Sequence, residues 1–363
     1  MSLILTFLGN QAHINSVLAL ASAKSLAAKG AKVLLVSTVS DFSLLALLDI
    51  VPSTTPTTLE DNLFSVHLST TSILEKQWEE VKNLEKKYLQ SPVLQAIYGQ
   101  ELPVLPGMDD ALILSAIREY DNSAEYDVIV YVGSGDIRTI RLFAMPEAIS
   151  GYARRFKAVI ADSDIGKLVI PLLQPILGNI FSGSWNWDSI SQNSSGAAND
   201  FLEKAISAVS DPQRVRAYLV TSKETGSIKQ AKYLWGNAQL AGLTVAGVFV
   251  NEPSSVQNSL AEFLPLPINQ VSVGENLSAL VESLPDFRQS VNVPKPLEID
   301  EVNSNIKVFL PGFQKKEVKL TQQGDMITLE AGDLRRNISL PPSLKGRSVS
   351  GAKFQEGYLI ISL

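Results

Sequence analysis

The chain reads as a doubly wound, mainly parallel α/β sheet with a helical insertion, followed by a small all-β sandwich. Three observations point there. The opening residues run apolar strand, turn, helix, strand, which is one βαβ unit. Apolar runs then recur with helical segments between them, the pattern of a parallel sheet covered on both faces. After Ser290 the texture changes to short alternating strands separated by turn residues, the pattern of a sandwich.

Leu3–Leu8 is a continuous apolar run entering a turn at Gly9, and predicts a buried strand. Ser16–Lys29, rich in Ala and Leu and closed by Gly30, predicts a helix. Lys32–Ser37 predicts the second strand. Further strands are expected at Leu63–Leu68, Asp127–Val132, Arg216–Thr221 and Val245–Asn251, and helices at Ser72–Leu89, Asp109–Tyr120 and Ile228–Ala241. Residues 147–205 break this rhythm with an apolar, proline-containing piece (Leu168–Phe181), Trp185, Trp187 and a Ser/Asn/Gly-rich loop at Ser189–Asn199. They read as a helical insertion. Val291–Pro296 predicts an extended linker because of its prolines. Beyond it, strands are expected at Ile306–Leu310, Val318–Thr321, Met326–Glu330, Asn337–Leu340, Val349–Phe354 and Tyr358–Leu363. The expected division is therefore 1–290 for the α/β domain, 291–296 for the linker and 297–363 for the sandwich. A sandwich of about 65 residues has a marginal core of its own, so it is expected to be a semi-independent unit docked on the larger domain.

Composition excludes several function classes. The 363 residues carry a net charge of −6, from 31 basic and 37 acidic residues without long runs, which argues against nucleic-acid binding. Trp78, Trp185, Trp187 and Trp235 are too dispersed for a base-stacking platform. There is no cysteine, which removes disulfides, thiolate metal sites, cysteine nucleophiles and thiol capture of metalloids. Only His13 and His67 occur, too few for a histidine-rich metal site. No apolar stretch reaches the roughly 18 residues of a membrane span, and Met1-Ser2 lacks the basic head of a signal peptide. The expectation is a soluble cytoplasmic protein.

The turn after the first strand carries the most chemistry. Laid on the phosphate-loop pattern G-x-x-x-x-G-K-[ST], Gly9–Ser16 keeps the first glycine and the final hydroxyl, and has Ile14 for the second glycine and Asn15 for the lysine. A phosphate cradle needs a backbone that curls until successive N–H groups point inward. A left-handed backbone at β-branched Ile14 costs roughly 1–2 kcal/mol. Asn15 is short and uncharged and does not replace a lysine. Ser16 retains the hydroxyl that ligates magnesium in working loops. A second turn, Gly133-Ser134-Gly135-Asp136 with Arg138 and Arg141 beyond it, is either a phosphate nest at a helix start or a tight turn whose Arg141 pairs with a carboxylate.

Taken in order and at matching spacing across residues 1–290, these segments resemble the arsenite-pump ATPase (ArsA) family and its relatives that deliver tail-anchored membrane proteins. The family loop G-K-G-G-V-G-K-T falls on Gly9–Ser16. Its first switch, V-S-T-D-P-A-H-S-L, falls on Val36–Leu44, and its P-G-x-x-E segment on Pro106–Asp110. Its second switch falls on Val132–Phe143 followed by Pro146-Glu147, and its adenine-side asparagine on Asn251. The tail resembles the α-crystallin (small heat-shock) sandwich in Leu310-Pro311-Gly312-Phe313, Gly332, Arg335-Arg336, Leu340-Pro341 and Gly357-Tyr358-Leu359-Ile360. The resemblance implies a P-loop NTPase-like fold, and implies ATP with magnesium as the family's cofactors. Gly9, Asn10, Asn15, Ser16 and Asn251 are the positions matching the nucleotide site.

The departures point one way. Both loop lysines are asparagines, Asn10 and Asn15. The two switch aspartates are Val39 and Val132, with Asp41 and Asp136 nearby in sequence. Phosphoryl transfer needs cationic stabilisation, a held magnesium and a positioned water. The expectation is a degenerate nucleotide site: no catalytic residue, no metal, no cofactor and no ATP hydrolysis. The alternative is an ATPase of the same family using Asp41, Asp136 and Asn251. The expected partner is a protein or apolar peptide client engaged through residues 147–205, with the chain itself a monomer or homodimer. A small molecule held by the Gly133–Arg138 turn is a further alternative.

Overall fold

The computed structural model describes residues 1–38, 52–76, 108–161, 196–251, 260–274 and 276–363, with side-chain surroundings described from 109 to 151 and from 202 onward in the two long helices of that stretch. Eight strands make the main sheet in the order β3-β4-β2-β5-β1-β6-β7-β8. These are β1 Leu3–Leu8, β2 Val33–Ser37, β3 Thr57–Glu60, β4 Leu63–His67, β5 Val128–Val132, β6 Val215–Thr221, β7 Val245–Asn251 and β8 Ile268–Val271. All neighbours pair in parallel except β3, which runs antiparallel to β4. The apolar runs of β2, β5 and β6 are buried at every position because helices cover both faces.

On one face lie α1 (Ala12–Ala28) and α6 (Leu277–Ser283), whose Leu18, Leu26 and Leu280 share a core with Leu5, Val130 and Phe249. The opposite face carries α2 (Met108–Asn122), α3 (Ile137–Ala161), α4 (Gly196–Ser210) and α5 (Thr225–Leu240). Its core joins Ile117, Phe143, Val209 and Trp235 to Ile129 and Val248. Since β5 lies beside β1, and the chain continues on the other side of β1 to β6, the loops leaving β1 and β5 meet at the switch point of the sheet. That is where such folds hold their ligands.

Three short elements escaped the sequence: β3, β8 and α6. The edge strand β3 (Thr-Thr-Leu-Glu) is largely exposed and lacks the apolar pattern of the central strands. Within 147–205 the described residues are the continuation of α3 through Ala161 and the start of α4 at Gly196, so Gly196–Asn199 are helical where a loop was expected, while 162–195 lie outside the described residues. The expectations for Leu168–Phe181, Trp185 and Trp187 lie outside the described residues, as do those for Val39–Leu44, Pro106-Gly107, Trp78 and helix residues beyond 76.

The tail forms two antiparallel sheets, β14-β15-β10-β9 and β11-β12-β13. They comprise β9 Leu297–Asp300, β10 Asn305–Phe309, β11 Lys319–Gln323, β12 Met326–Ala331, β13 Leu334–Ser339, β14 Gly351–Gln355 and β15 Tyr358–Ser362. There are thus seven strands where six were expected. Alternation decides the core: Ile306, Val308, Ile327, Leu329 and Ile361 are buried between the sheets while their strand neighbours face outward.

The sandwich sits on α5 and α3. Leu240 of α5 belongs to the sandwich core, and Phe309 of β10 packs edge-on to Trp235 at 5.5 Å between ring centres. A Cβ at Gly236 would stand 2.4 Å from the Pro311 carbonyl, so only glycine lets this turn lie on the helix. Buried Arg336 of β13 pairs with Glu147 of α3 at 3.2 Å.

Candidate functional site

Helix α1 begins at Ala12, four residues earlier than expected, and this changes the loop. Only Gly9, Asn10 and Gln11 lie between β1 and the helix. Ala12-His13-Ile14 contains no residue that favours a non-helical backbone, so the helix takes up what would be the cradle. Asn15 N–H already donates to Gln11 O at 3.0 Å.

The loop is then closed from inside. Gly9 N–H donates to Gly135 O at 2.8 Å, stapling the β1 loop to the β5 loop. The Asn15 carboxamide, 3% exposed, points into the same space, and its Nδ2 donates to Gly9 O at 2.9 Å. A Cβ at Gly135 would stand 2.1 Å from that Nδ2, and Gly135 has φ +71°. Among the described residues Asn15 Oδ1 accepts no hydrogen bond. Ser16 is buried and its hydroxyl donates back to Ala12 O at 3.0 Å.

The other expected residues are drawn apart. Asn10 is exposed and accepts a long bond of 3.4 Å from Ser227 Oγ of α5. Asn251, at the end of β7, accepts from Val273 N–H at 2.9 Å and so ties β7 to the chain after β8. The structure thus brings Gly9 and Asn15 together with Gly135, and does not bring Asn251 to them. His13 is exposed.

The second turn is a capped helix start. Asp136 Oδ1 accepts from Arg138 N–H at 2.9 Å and from Ser134 Oγ at 2.5 Å. Thr139 Oγ1 accepts from Gly135 N–H at 3.0 Å, which turns that amide away from any ligand. Exposed Arg141 donates to the Asp333 carbonyl in the sandwich at 3.3 Å, so its partner is a carbonyl rather than the expected carboxylate. Thr139 lies within the segment that matches the second switch, and the role its hydroxyl takes, holding the Gly135 amide, depends on the fold of the turn.

Polar pairs continue along the same sheet edge. Thr38 Oγ1 lies 3.1 Å from Tyr131 Oη, whose pKa burial pushes up to about 12. Ser37 Oγ lies 3.1 Å from His67 Nδ1, and burial lowers the pKa of His67. The Asp110 carboxyl is raised by burial and then by Asp109, against the opposing pull of Arg138 and Arg141. Among the described residues no cluster of three or more acidic or histidine side chains is placed to hold a metal. Among the described residues, the loops after β1 and β5 leave no open cradle for a triphosphate. The Asn15 carboxamide fills the space between the two loops, and no cationic side chain stands in Gly9–Ser16.

Comparison with known proteins agrees with the architecture. The family described as anion-transporting ATPase matches residues 15–264, so the match starts at Asn15 and leaves β1 and the shortened loop outside it. An HSP20-like domain found in ArsA matches residues 301–363. A protein of Chlorobaculum tepidum named "Putative arsenical pump-driving ATPase" is 23% identical, covering 99% of this chain and 95% of its own length. A protein of Aquifex aeolicus with the same name, numbered 1, is 21% identical over 84% of each chain. Among the described residues no helix is long and apolar enough to cross a membrane. With a parallel sheet, a second switch running into α3 and an HSP20-like tail all in family order, the chain belongs to the anion-transporting ATPase (ArsA) family.

Proposed function

We propose that this chain is a family member that has given up ATP hydrolysis and serves as a protein-binding scaffold. The observation that carries this is the buried Asn15 carboxamide lodged between Gly9 and Gly135. A buried amide replaces both the cation and the open cradle that phosphate oxygens require. Asp136 and Asn251, the residues available to an atypical site, already serve as a helix cap and a strand tie. The relatives' names refer to arsenicals, but a chain without cysteine has no thiolate to offer trivalent arsenic. A protein or apolar peptide remains the best candidate for a client. It would be engaged through the region joining α3 to α4, with the docked HSP20-like sandwich as a fixed neighbour.

Calorimetric titration with ATP, with and without magnesium, tests this. No saturable binding tighter than about 100 μM, roughly 5.5 kcal/mol, is expected. A tighter constant that requires magnesium would favour the alternative, an ATPase with atypical contacts.

A further inference from the structure

Helix α3 leads away from the Gly133–Asp136 turn and carries a proline in its third turn, Pro146. Proline has no N–H to give the Leu142 carbonyl, and its ring crowds the preceding turn. This 25-residue helix is therefore weakest between Leu142 and Pro146. Its first turns, which include Thr139, are tied less firmly to the rest by hydrogen bonds along the helix.

The sandwich touches α3 on both sides of the proline. Before it, Arg141 donates to the Asp333 carbonyl at 3.3 Å. After it, Glu147 receives Arg336 Nε at 3.2 Å, and a Cβ at Gly151 would stand 3.2 Å from Asn337 Nδ2. Asp333, Arg336 and Asn337 belong to one short stretch, the turn into β13 and the strand itself. That stretch is anchored on a different helix. Tyr233 Oη of α5 donates to Asp333 Oδ2 at 2.6 Å, and Arg336 Nη1 donates to the Gln239 carbonyl at 3.5 Å. The Arg336 side chain is 6% exposed and lines, with Phe143 and Pro146, a void of about 10 Å³, so it stands beside the proline turn. Since an exposed polar contact such as that of Arg141 contributes little, the Arg336–Glu147 pair carries most of this attachment.

The first turn of α3 reaches the loops directly. Thr139 holds the Gly135 amide, and the Gly135 carbonyl receives Gly9 N–H. Movement of that first turn therefore loosens the Gly9–Gly135 contact. We propose that the sandwich is a splint across the proline turn of α3, and through it keeps the loops after β1 and β5 closed on each other. This holds whether or not the chain binds nucleotide.

Hydrogen exchange of the full-length chain, read by mass spectrometry on peptides covering residues 3–15 and 132–145, tests the proposal. Arg336→Met keeps an unbranched apolar stem and removes the bonds to Glu147 and Gln239. Exchange of both loop peptides should rise about tenfold or more, with β7 protected as in the parent. Pro146→Ala supplies the missing N–H, and added to Arg336→Met it should return the loop peptides to parent rates. Ile361→Val loosens the sandwich core and should leave both loop peptides unchanged. Glu147→Gln is a milder break of the same pair and should act in the same direction, so the test stands even where Arg336→Met folds poorly. Loop exchange unchanged in Arg336→Met and Glu147→Gln, equal acceleration in Ile361→Val, or no rescue by Pro146→Ala would each overturn the proposal.

Discussion

At the scale of the residue, Asn15 decides the character of the loop. Its backbone is helical, its Nδ2 bonds the Gly9 carbonyl, and its amide touches Gly135. Restoring the lysine alone therefore meets a helix that starts too early and two switch positions without aspartate. Asn15→Lys should show no phosphate release above the parent in a malachite-green assay, and appreciable release would show that the loop reopens by itself. Gly135 is the complementary test. A methyl group there meets both a positive φ and the Asn15 amide, so Gly135→Ala should cost about 2 kcal/mol or more in denaturant unfolding. The added change Asn15→Ala removes the clash but not the strain. The double variant should recover part of that loss, and simple additivity would argue against the contact.

At the scale of the element, α1 is held by burial rather than by its cap. Gln11 makes no side-chain capping bond, no acidic residue lies in the first turn, and residues 15–23 are all buried. Packing against the sheet outweighs the missing cap, which is worth about 1 kcal/mol. The β2–β4 pair contributes a pH dependence through His67. Ser37 and His67 are register partners, and burial lowers the His67 pKa below its ordinary value near 6.5. A lowered pKa means that the folded chain prefers neutral imidazole, so the unfolded chain takes up the proton first. Stability from His67 should be complete above pH 6.5 and should decline as pH falls below it. His67→Gln should flatten urea midpoints between pH 6.5 and 5.5, and an unchanged slope would remove His67 from the account.

At the scale of the whole molecule, the sandwich and the α/β layers share their cores. Phe309 enters the core beneath α5, and Leu240 enters the sandwich. The segment joining them is tied down as well: Val291 packs on one face of the main sheet, Val293 on the other, and the Pro296 carbonyl accepts from Phe309 N–H at 3.2 Å. This interlocking differs from the semi-independent unit expected from size alone. Scanning calorimetry of the parent should show one transition. Gly236→Leu cannot be accommodated beneath Pro311 and should split the trace, with the sandwich melting first. A single transition in the variant, shifted only slightly, would mean that the docking surface yields.

The sequence by itself determined the parallel sheet, the order of its main strands along the chain and the β-rich tail. Those follow from local period and apolar runs, which burial on two faces or one face dictates directly. It also showed that the loop lacked its lysines, since that is a matter of residue identity. Only the tertiary structure decided what took their place. The early helix start, the Asn15 side chain between Gly9 and Gly135, and the use of Asp136 as a cap depend on β5 lying beside β1, a contact between residues more than a hundred positions apart. The same holds for Gly236, which reads locally as a weak spot in a helix. Close approach of the Pro311 carbonyl makes it the residue that lets the sandwich dock.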